Sequence, residues 1–223
     1  MKPLLIVIDG PAGAGKTTVS RALADRLHYT YVDTGALYRA VAWEILEKNI
    51  DPDDKEAVDS LLGDLDLRFE PTAAGTRLFS SGKDITDYIR TSQITMLASA
   101  ASAKPGVRRA LLDLQREMGQ RKAAVFEGRD MGTVVFPDAD VKFFLTADIK
   151  VRARRRFEEL KQTDPQSLDQ VEKQMRERDE NDSSRATAPL KPADDAVVMD
   201  STDKSVDEVV REMLYIVHAS AGQ

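Results

Sequence analysis

Leu4-Leu-Ile-Val-Ile-Asp9-Gly10-Pro11-Ala12-Gly13-Ala14-Gly15-Lys16-Thr17 is the stretch from which the rest of the chain can be read. Its apolar run, closed by an acid and a glycine, predicts a short strand buried on both faces, as in a parallel sheet. Gly10 to Thr17, with Thr18 directly behind, fits the spacing GxxxxGK[ST]. Glycines at these points let backbone N–H groups turn inward and approach phosphate oxygens with no Cβ in the way. Val19, Ala22, Leu23 and Leu27 then recur at helical spacing. The loop therefore opens a helix, whose N-terminus adds unpaired donors and a favourable dipole. In that setting Lys16 supplies a compact charge to the β- and γ-phosphates of a nucleotide, and the Thr17 hydroxyl can ligate Mg²⁺ directly.

Working outward, YTYVD (29–33), AAVFEG (123–128), VKFFLT (141–146) and AVVMD (196–200) predict four further buried strands. Helical spacing covers 36–49, a segment opened by DPDDKE with Pro52 in its first turn, 92–121 broken at Pro105, and 149–183 interrupted around Thr163–Pro165. A closing helix, Ser205–Ser220, turns Val206, Val209, Val210, Met213, Leu214 and Val217 inward. Residues 65–90 differ. LDLRFE, TRLFSS and KDITDYI alternate with period two between a Thr-Ala-Ala-Gly turn and a Ser-Gly turn, which predicts a small antiparallel insertion. Five strands alternating with helices imply an α/β fold with a parallel sheet and helices on both faces. Ligands in such a fold sit beyond the carboxyl ends of the strands, here just after Asp9, Asp33, Glu127, Leu145 and Met199.

The 223 residues, 42% apolar and 31% charged, suit one catalytic domain with an inserted subdomain. LLIVI is too short for an export or membrane segment, so the expectation is a cytoplasmic protein with no membrane partner. There is no cysteine, hence no disulfide and no thiolate metal site. A net charge of −6 argues against a nucleic-acid partner, which usually calls for a basic face. His28 follows the first helix and His218 lies in the last, and both read as surface packing.

Arginines stand with polar partners at three predicted strand ends or helix lips: Asp33-Thr34-Gly-Ala-Leu-Tyr-Arg39, Gly128-Arg129-Asp130-Met-Gly-Thr133, and Arg178-Asp179-Glu-Asn-Asp182-Ser-Ser-Arg185. The planar guanidinium fork suits bidentate phosphate binding, and several at one sheet edge point to a second anion. A late N/TKxD motif, expected of a guanine-specific GTPase, is missing. The acid that would end the strand of a motor ATPase stands instead within Glu127-Gly-Arg-Asp130.

The stretches IDGPAGAGKTT (8–18), DTGALYRA (33–40), EGRDMGTVVFPDA (127–139), RDENDSSRATAPL (178–190) and AVVMDST (196–202) resemble the bacterial cytidylate kinases, from Leu4 to about Val217. That resemblance implies a P-loop NTPase-type core at about 1–35, 106–150 and 185–223. It further implies a nucleoside-monophosphate-binding insertion at about 36–105 and a short helical lid at about 151–184. The implied reaction transfers a phosphoryl group from ATP to CMP, or to dCMP, with Mg²⁺, in a monomer. Gly10–Thr18 would hold ATP, and Thr34, Arg39 and Arg129 the acceptor phosphate. Ser99, Arg108, Asp130 and Arg185 would read the cytosine edge, and Arg178 and Asp182 the ribose. Arg152, Arg155 and Arg156, on one side of KVRARRRF, would close over the transferring group as catalytic cations with Lys16 and Arg129. Many relatives carry serine at Thr34, and Glu127 replaces an aspartate common in the family. The acid that assists Mg²⁺ through water is therefore open among Asp33, Glu127 and Asp130. Two alternatives stand beside this reading: another small-molecule P-loop kinase of the shikimate, gluconate or dephospho-coenzyme A type, and a non-catalytic nucleotide-binding module.

Overall fold

The computed structural model describes residues 2–72, 75–161, 164 and 166–222. Ala73 and Ala74 of the expected turn, and Thr163 and Pro165 of the expected helix interruption, lie outside the described residues. The chain divides into two compact units, Met1–Asp33 with Met118–Gln223, and Thr34–Glu117.

The first unit holds a parallel sheet of β1 (Leu5–Asp9), β2 (Thr30–Asp33), β6 (Ala124–Glu127), β7 (Val141–Thr146) and β8 (Val197–Asp200), in the order β2-β6-β1-β7-β8. β1 is central and buried at all five residues, as an unbroken apolar run requires. Ile6, Ile8, Val125, Phe143 and Leu145 share one core with Val19 and Leu23 of α1 (Lys16–Leu27) and with Val209, Val210, Met213 and Val217 of α8 (Val206–Ala221). At Phe126 the ring meets that of Phe136 edge-on, centroids 4.7 Å apart. Phe136 in turn occupies the space a side chain at Gly119 would fill. Two strands are less buried than their sequence suggests. β2 and β8 are sheet edges, and Val197 and Val198 stand 38% and 59% exposed. Val206, expected inside, is exposed at the start of α8, where Ser205 and Glu208 form a capping box.

Register places the carboxylates. Asp33 is opposite Glu127, and Glu127 is opposite Ile8, the residue before Asp9. Three acids thus gather at the carboxyl ends of neighbouring strands. Beyond β7, α6 (Ile149–Leu160) and α7 (Leu168–Ser184) form a hairpin with a small core of Ala153, Val171 and Met175, against which Ala12 of the loop packs.

In the second unit α2 (Thr34–Glu47) is buried along almost its whole length. It is joined by α3 (Lys55–Gly63), α4 (Ser92–Ala101), most of α5 (Pro105–Gly119), and a sheet of β3 (Leu67–Thr72), β4 (Gly75–Ser80) and β5 (Lys83–Asp84). The sheet is antiparallel. Only Lys83–Asp84 of the expected third strand is extended; Tyr88–Arg90 turns into a 3₁₀ helix. Pro52 precedes α3 rather than entering its first turn, because the Asp54 side chain caps the helix by accepting from the Ala57 N–H. Buried Glu44 of α2 accepts from the Ser80 hydroxyl and pairs with Lys48 at 3.2 Å.

Candidate active site

The loop between β1 and α1 has the conformation its glycines allow. Gly10 has φ +147°, and a Cβ there would lie 1.9 Å from the Leu145 carbonyl oxygen. Gly15, at φ 90°, caps α1 without a side-chain bond, so no capping side chain takes up the first N–H groups of the helix. Lys16 is buried, and its ammonium donates to the carbonyls of Gly10 and Pro11, both at 2.8 Å. Burial, then Arg129 and Arg178, press its pKa well below the ordinary lysine range, while Glu127 and Asp9 act in the opposite direction. Its positive charge is thus disfavoured by burial and by neighbouring cations, and favoured by the two acids.

Thr17 is exposed and donates through Oγ1 to Glu127 Oε1 at 2.8 Å. The same carboxylate oxygen accepts from the Tyr31 hydroxyl, whose ring lies 5.1 Å beneath the Arg21 guanidinium. Glu127 is buried, and its pKa is raised by that burial and then by Asp33. Asp9, also buried, has its pKa lifted to about 6 by burial, against hydrogen bonds from the Gly132 and Met131 backbones. Thr17 and Glu127 form a pair of hard oxygen donors that fits Mg²⁺. Among the described residues, no cluster of three or more histidine or acidic side chains is poised for a metal.

After β6 the chain passes through Arg129 and Asp130 into a π-helical turn, Met131–Val135. Arg129 donates from Nε to Asp182 Oδ2 at 3.1 Å and from Nη1 to the Gly128 carbonyl at 3.1 Å. Arg185 Nη2 lies 3.8 Å from Asp182 Oδ1, and its Nε donates to the Asp182 carbonyl at 3.3 Å. Buried Asp182 thus bonds Arg129 through its carboxylate and Arg185 through its carbonyl, and Arg178, one helical turn earlier on α7, acts on Lys16. Asp130 is buried and acts on Asp9. Lys16, Thr17, Glu127, Arg129, Asp130, Arg178, Asp182 and Arg185 are brought into one neighbourhood of the first unit.

The three arginines expected to act together on α6 go to different partners. Buried Arg152 donates to the carbonyls of Ala147 (2.9 Å) and Ala12 (3.0 Å) and to Asp179 (2.7 Å). Arg155 donates to the Ser201 hydroxyl (3.2 Å) and carbonyl (2.7 Å), and the Ser201 hydroxyl donates to the Ala14 carbonyl (3.0 Å). Arg156 pairs with exposed Glu159 at 2.9 Å. Helical spacing put them on one side. The fold then spends two of them on carbonyls and neighbours of the phosphate loop, which is where buried guanidinium donors find acceptors.

The second unit carries the other expected residues. Thr34 is buried at the start of α2, and Arg39 is half-buried on the same helix. The Arg108 guanidinium, buried on α5, lies 5.6 Å from the Tyr38 ring centroid and donates to the Ser102 carbonyl at 3.1 Å. Ser102 Oγ donates to the Ser99 carbonyl at 2.7 Å, so Ser99, Ser102 and Arg108 form one cluster. The sequence motifs do not point to Tyr31 or Ser201, and they mark Asp9 only as a strand end. The one available signal was Asp9, an acid ending an otherwise apolar buried strand.

No helix of the described residues is long and apolar enough to cross a membrane. In fold the chain resembles shikimate kinase from Acinetobacter baumannii (TM-score 0.51, 14% identical, covering 98% of this chain and 94% of that one). It also resembles a gluconokinase from Sinorhizobium meliloti (TM-score 0.50, 15% identical, covering 99% and 95%). In sequence it is 48% identical to the cytidylate kinase of Geobacter sulfurreducens over 96% of this chain and 92% of that relative. It is 45% identical to that of Shouchella clausii over 98% and 97%. With the cytidylate kinase family profile matching residues 6–219 and these identities running nearly end to end, the chain belongs to the cytidylate kinase family.

Proposed function

We propose that this chain transfers the terminal phosphoryl group of ATP to CMP, and to dCMP, by direct in-line displacement. The observation that carries the reading is the buried Lys16 ammonium, held at the Gly10 and Pro11 carbonyls of the loop, with Arg129 and Arg178 near enough to act on its charge. An amide-lined loop suits the donor's phosphates, and a guanidinium cluster beside it suits a second phosphate. An acceptor phosphate oxygen is already nucleophilic, so no covalent enzyme intermediate and no strong general base is required. Catalysis then rests on positioning, and on cations placed where charge spreads in the transition state.

Gly10–Thr18 would cradle the ATP phosphates, with Lys16 bridging toward the transferred group. Thr17 would hold Mg²⁺. Of the three candidate acids, Glu127 is supported by the Thr17 bond, since its Oε1 lies one hydrogen bond from that hydroxyl. The ion supplies charge neutralisation at the phosphate oxygens. Thr34, Arg39 and Arg129 would bind the acceptor phosphate, with Arg178 and Asp182 at the sugar and Ser99, Arg108, Asp130 and Arg185 at the base. Arg152 and Arg155 would bind and order the donor loop, as their bonds to Ala12 and Ser201 support. Arg156 would close over the phosphates from the lid at about 151–184, and the insertion at about 36–105 would bind the acceptor. A cytoplasmic monomer that meets only nucleotides completes the reading.

ADP release measured across CMP, dCMP, UMP, AMP, shikimate and gluconate tests it. CMP and dCMP should stimulate release strongly, and the non-nucleotides not at all. Stimulation by shikimate or gluconate, or by no acceptor, would overturn the proposal.

A further inference from the structure

We propose that Asp9 is a positioning residue for the acceptor arm, holding Arg129 and Asp130 in register with the phosphate loop. This rests on the reading above, in which Arg129 binds the acceptor phosphate. The segment carrying these two residues is bracketed by the carboxyl end of β1. On one side, the Gly128 N–H donates to the Ile8 carbonyl at 3.1 Å. On the other, the N–H groups of Met131 and Gly132 donate to the two carboxylate oxygens of Asp9 at 2.9 and 2.8 Å. Arg129 and Asp130 span the gap between these anchors. The residue after Asp9 is Gly10, where the loop begins, so a single strand end indexes the donor loop and the acceptor arm against each other.

The two anchors differ in kind. The Ile8 bond is an ordinary ladder-type contact, whereas the Asp9 bonds use both oxygens of one buried carboxylate on consecutive N–H groups that open a π-helical turn. π turns are uncommon and recur at functional sites, because the extra residue re-aims the backbone. Beyond the turn the chain is held separately: the Pro137 carbonyl accepts from the Lys142 ammonium, which also bonds Asp195 at 2.8 Å. With the Ile8 and Asp9 anchors on either side of it, the Arg129 backbone has little room to shift, and a displacement of about 1 Å at a phosphate-binding group lowers rates on the order of 100-fold. An amide in place of the carboxylate accepts one N–H and turns its own NH₂ toward the other, so Asp9→Asn keeps the shape while releasing one bond.

The test uses the full chain as wild type, Asp9→Asn, Arg129→Ala and the double variant. We expect Asp9→Asn to bind ADP within about 3-fold of wild type while its kcat/KM for CMP falls roughly 30- to 100-fold. Because both variants disturb the same contact, Arg129→Ala should reduce kcat/KM at least about 5-fold less in the Asn background than in wild type. A CMP kcat/KM within about 2-fold of wild type, or fully additive losses, overturns the inference. Should Asp9→Asn fail to fold, amide hydrogen exchange in the wild type decides: Met131 and Gly132 should exchange as slowly as the amides of β1, and exchange at loop rates refutes the clamp. Failure of the wild type itself to phosphorylate CMP would sink the functional reading instead, and exchange at these two amides would still report on the clamp.

Discussion

Arg129 and Asp182, 53 residues apart in sequence, are joined by a hydrogen bond of 3.1 Å between Nε and Oδ2, and Arg185 Nη2 lies 3.8 Å from the same carboxylate. One buried acid therefore orders a cation of the β6 end and a cation of the α7 end. Guanidinium groups left to themselves at this density would repel one another and turn outward. Asp182 supplies each with a nearby negative charge.

Replacing Asp182 by Asn should therefore act on the acceptor rather than the donor. We expect kcat/KM for CMP to fall about 30-fold or more with ADP affinity nearly unchanged, on the scale of losing a charge-assisted contact worth about 2 kcal/mol. Calorimetric titration of ADP beside steady-state kinetics separates the two. An equal loss on both substrates would show that Asp182 merely holds the fold.

Lys16→Met should reduce kcat by about 100-fold or more, since a preorganised cation at the transferring group is removed. Its stability effect should run the other way. Burial lowers the Lys16 pKa, so the charged form is disfavoured in the folded state, and taking that charge away leaves the melting temperature unchanged or higher. A scan of the purified variant showing a large drop would contradict this.

Asp9 gives a stability prediction with a defined sign. Its folded pKa is raised from 3.8 to about 6, chiefly by burial and further by Asp130, while two backbone N–H groups and Lys16 pull it down. A raised carboxyl binds its proton more tightly when folded. Its contribution is full below about pH 3.8 and lost as pH climbs to about 6. Between pH 4 and pH 7, wild type should therefore lose about 2–3 kcal/mol relative to Asp9→Asn, which has no such proton. Urea unfolding of both proteins across that range measures the difference, and parallel curves would discard it.

Gly10→Ala should prevent folding or lower the melting temperature by more than about 10 °C, because the new methyl would lie 1.9 Å from the Leu145 carbonyl of the neighbouring strand. Gly82→Ala is the control. It shares a positive φ, 79°, but has open space around it, so only local backbone strain of about 1 kcal/mol is expected.

Arg108→Met should loosen base choice in the proposed site. Removing a buried donor that cytosine's acceptors would use should lower CMP turnover and narrow the CMP-to-UMP ratio about 10-fold or more. Competition between the two nucleotides in one reaction reads that ratio directly.

Much of this was legible in the chain itself. The Gly10–Thr17 spacing marked the loop, period-3.6 patterns marked α1 and α8, and unbroken apolar runs marked the central strands. These signals are local: backbone φ, helix periodicity and two-sided burial each leave a trace within a dozen residues. The weaker readings concern surroundings. Val197 and Val198 look like core residues until the sheet order makes β8 an edge. Arg152, Arg155 and Arg156 look alike at helical spacing, yet one is buried against Ala12, one is tied to Ser201 and one faces Glu159.

The order of residues is enough to say that a strand, an anion-binding loop and a helix follow one another, and that arginines cluster at the ends of other elements. Which acid meets which partner emerges with the fold: Glu127 with Thr17 and Tyr31, Asp9 with the π turn, Asp182 with Arg129 and Arg185. The physical reason is that these pairs are set by the strand order β2-β6-β1-β7-β8 and its register. That order arises from which apolar faces bury together, and residues a hundred positions apart carry no local record of it.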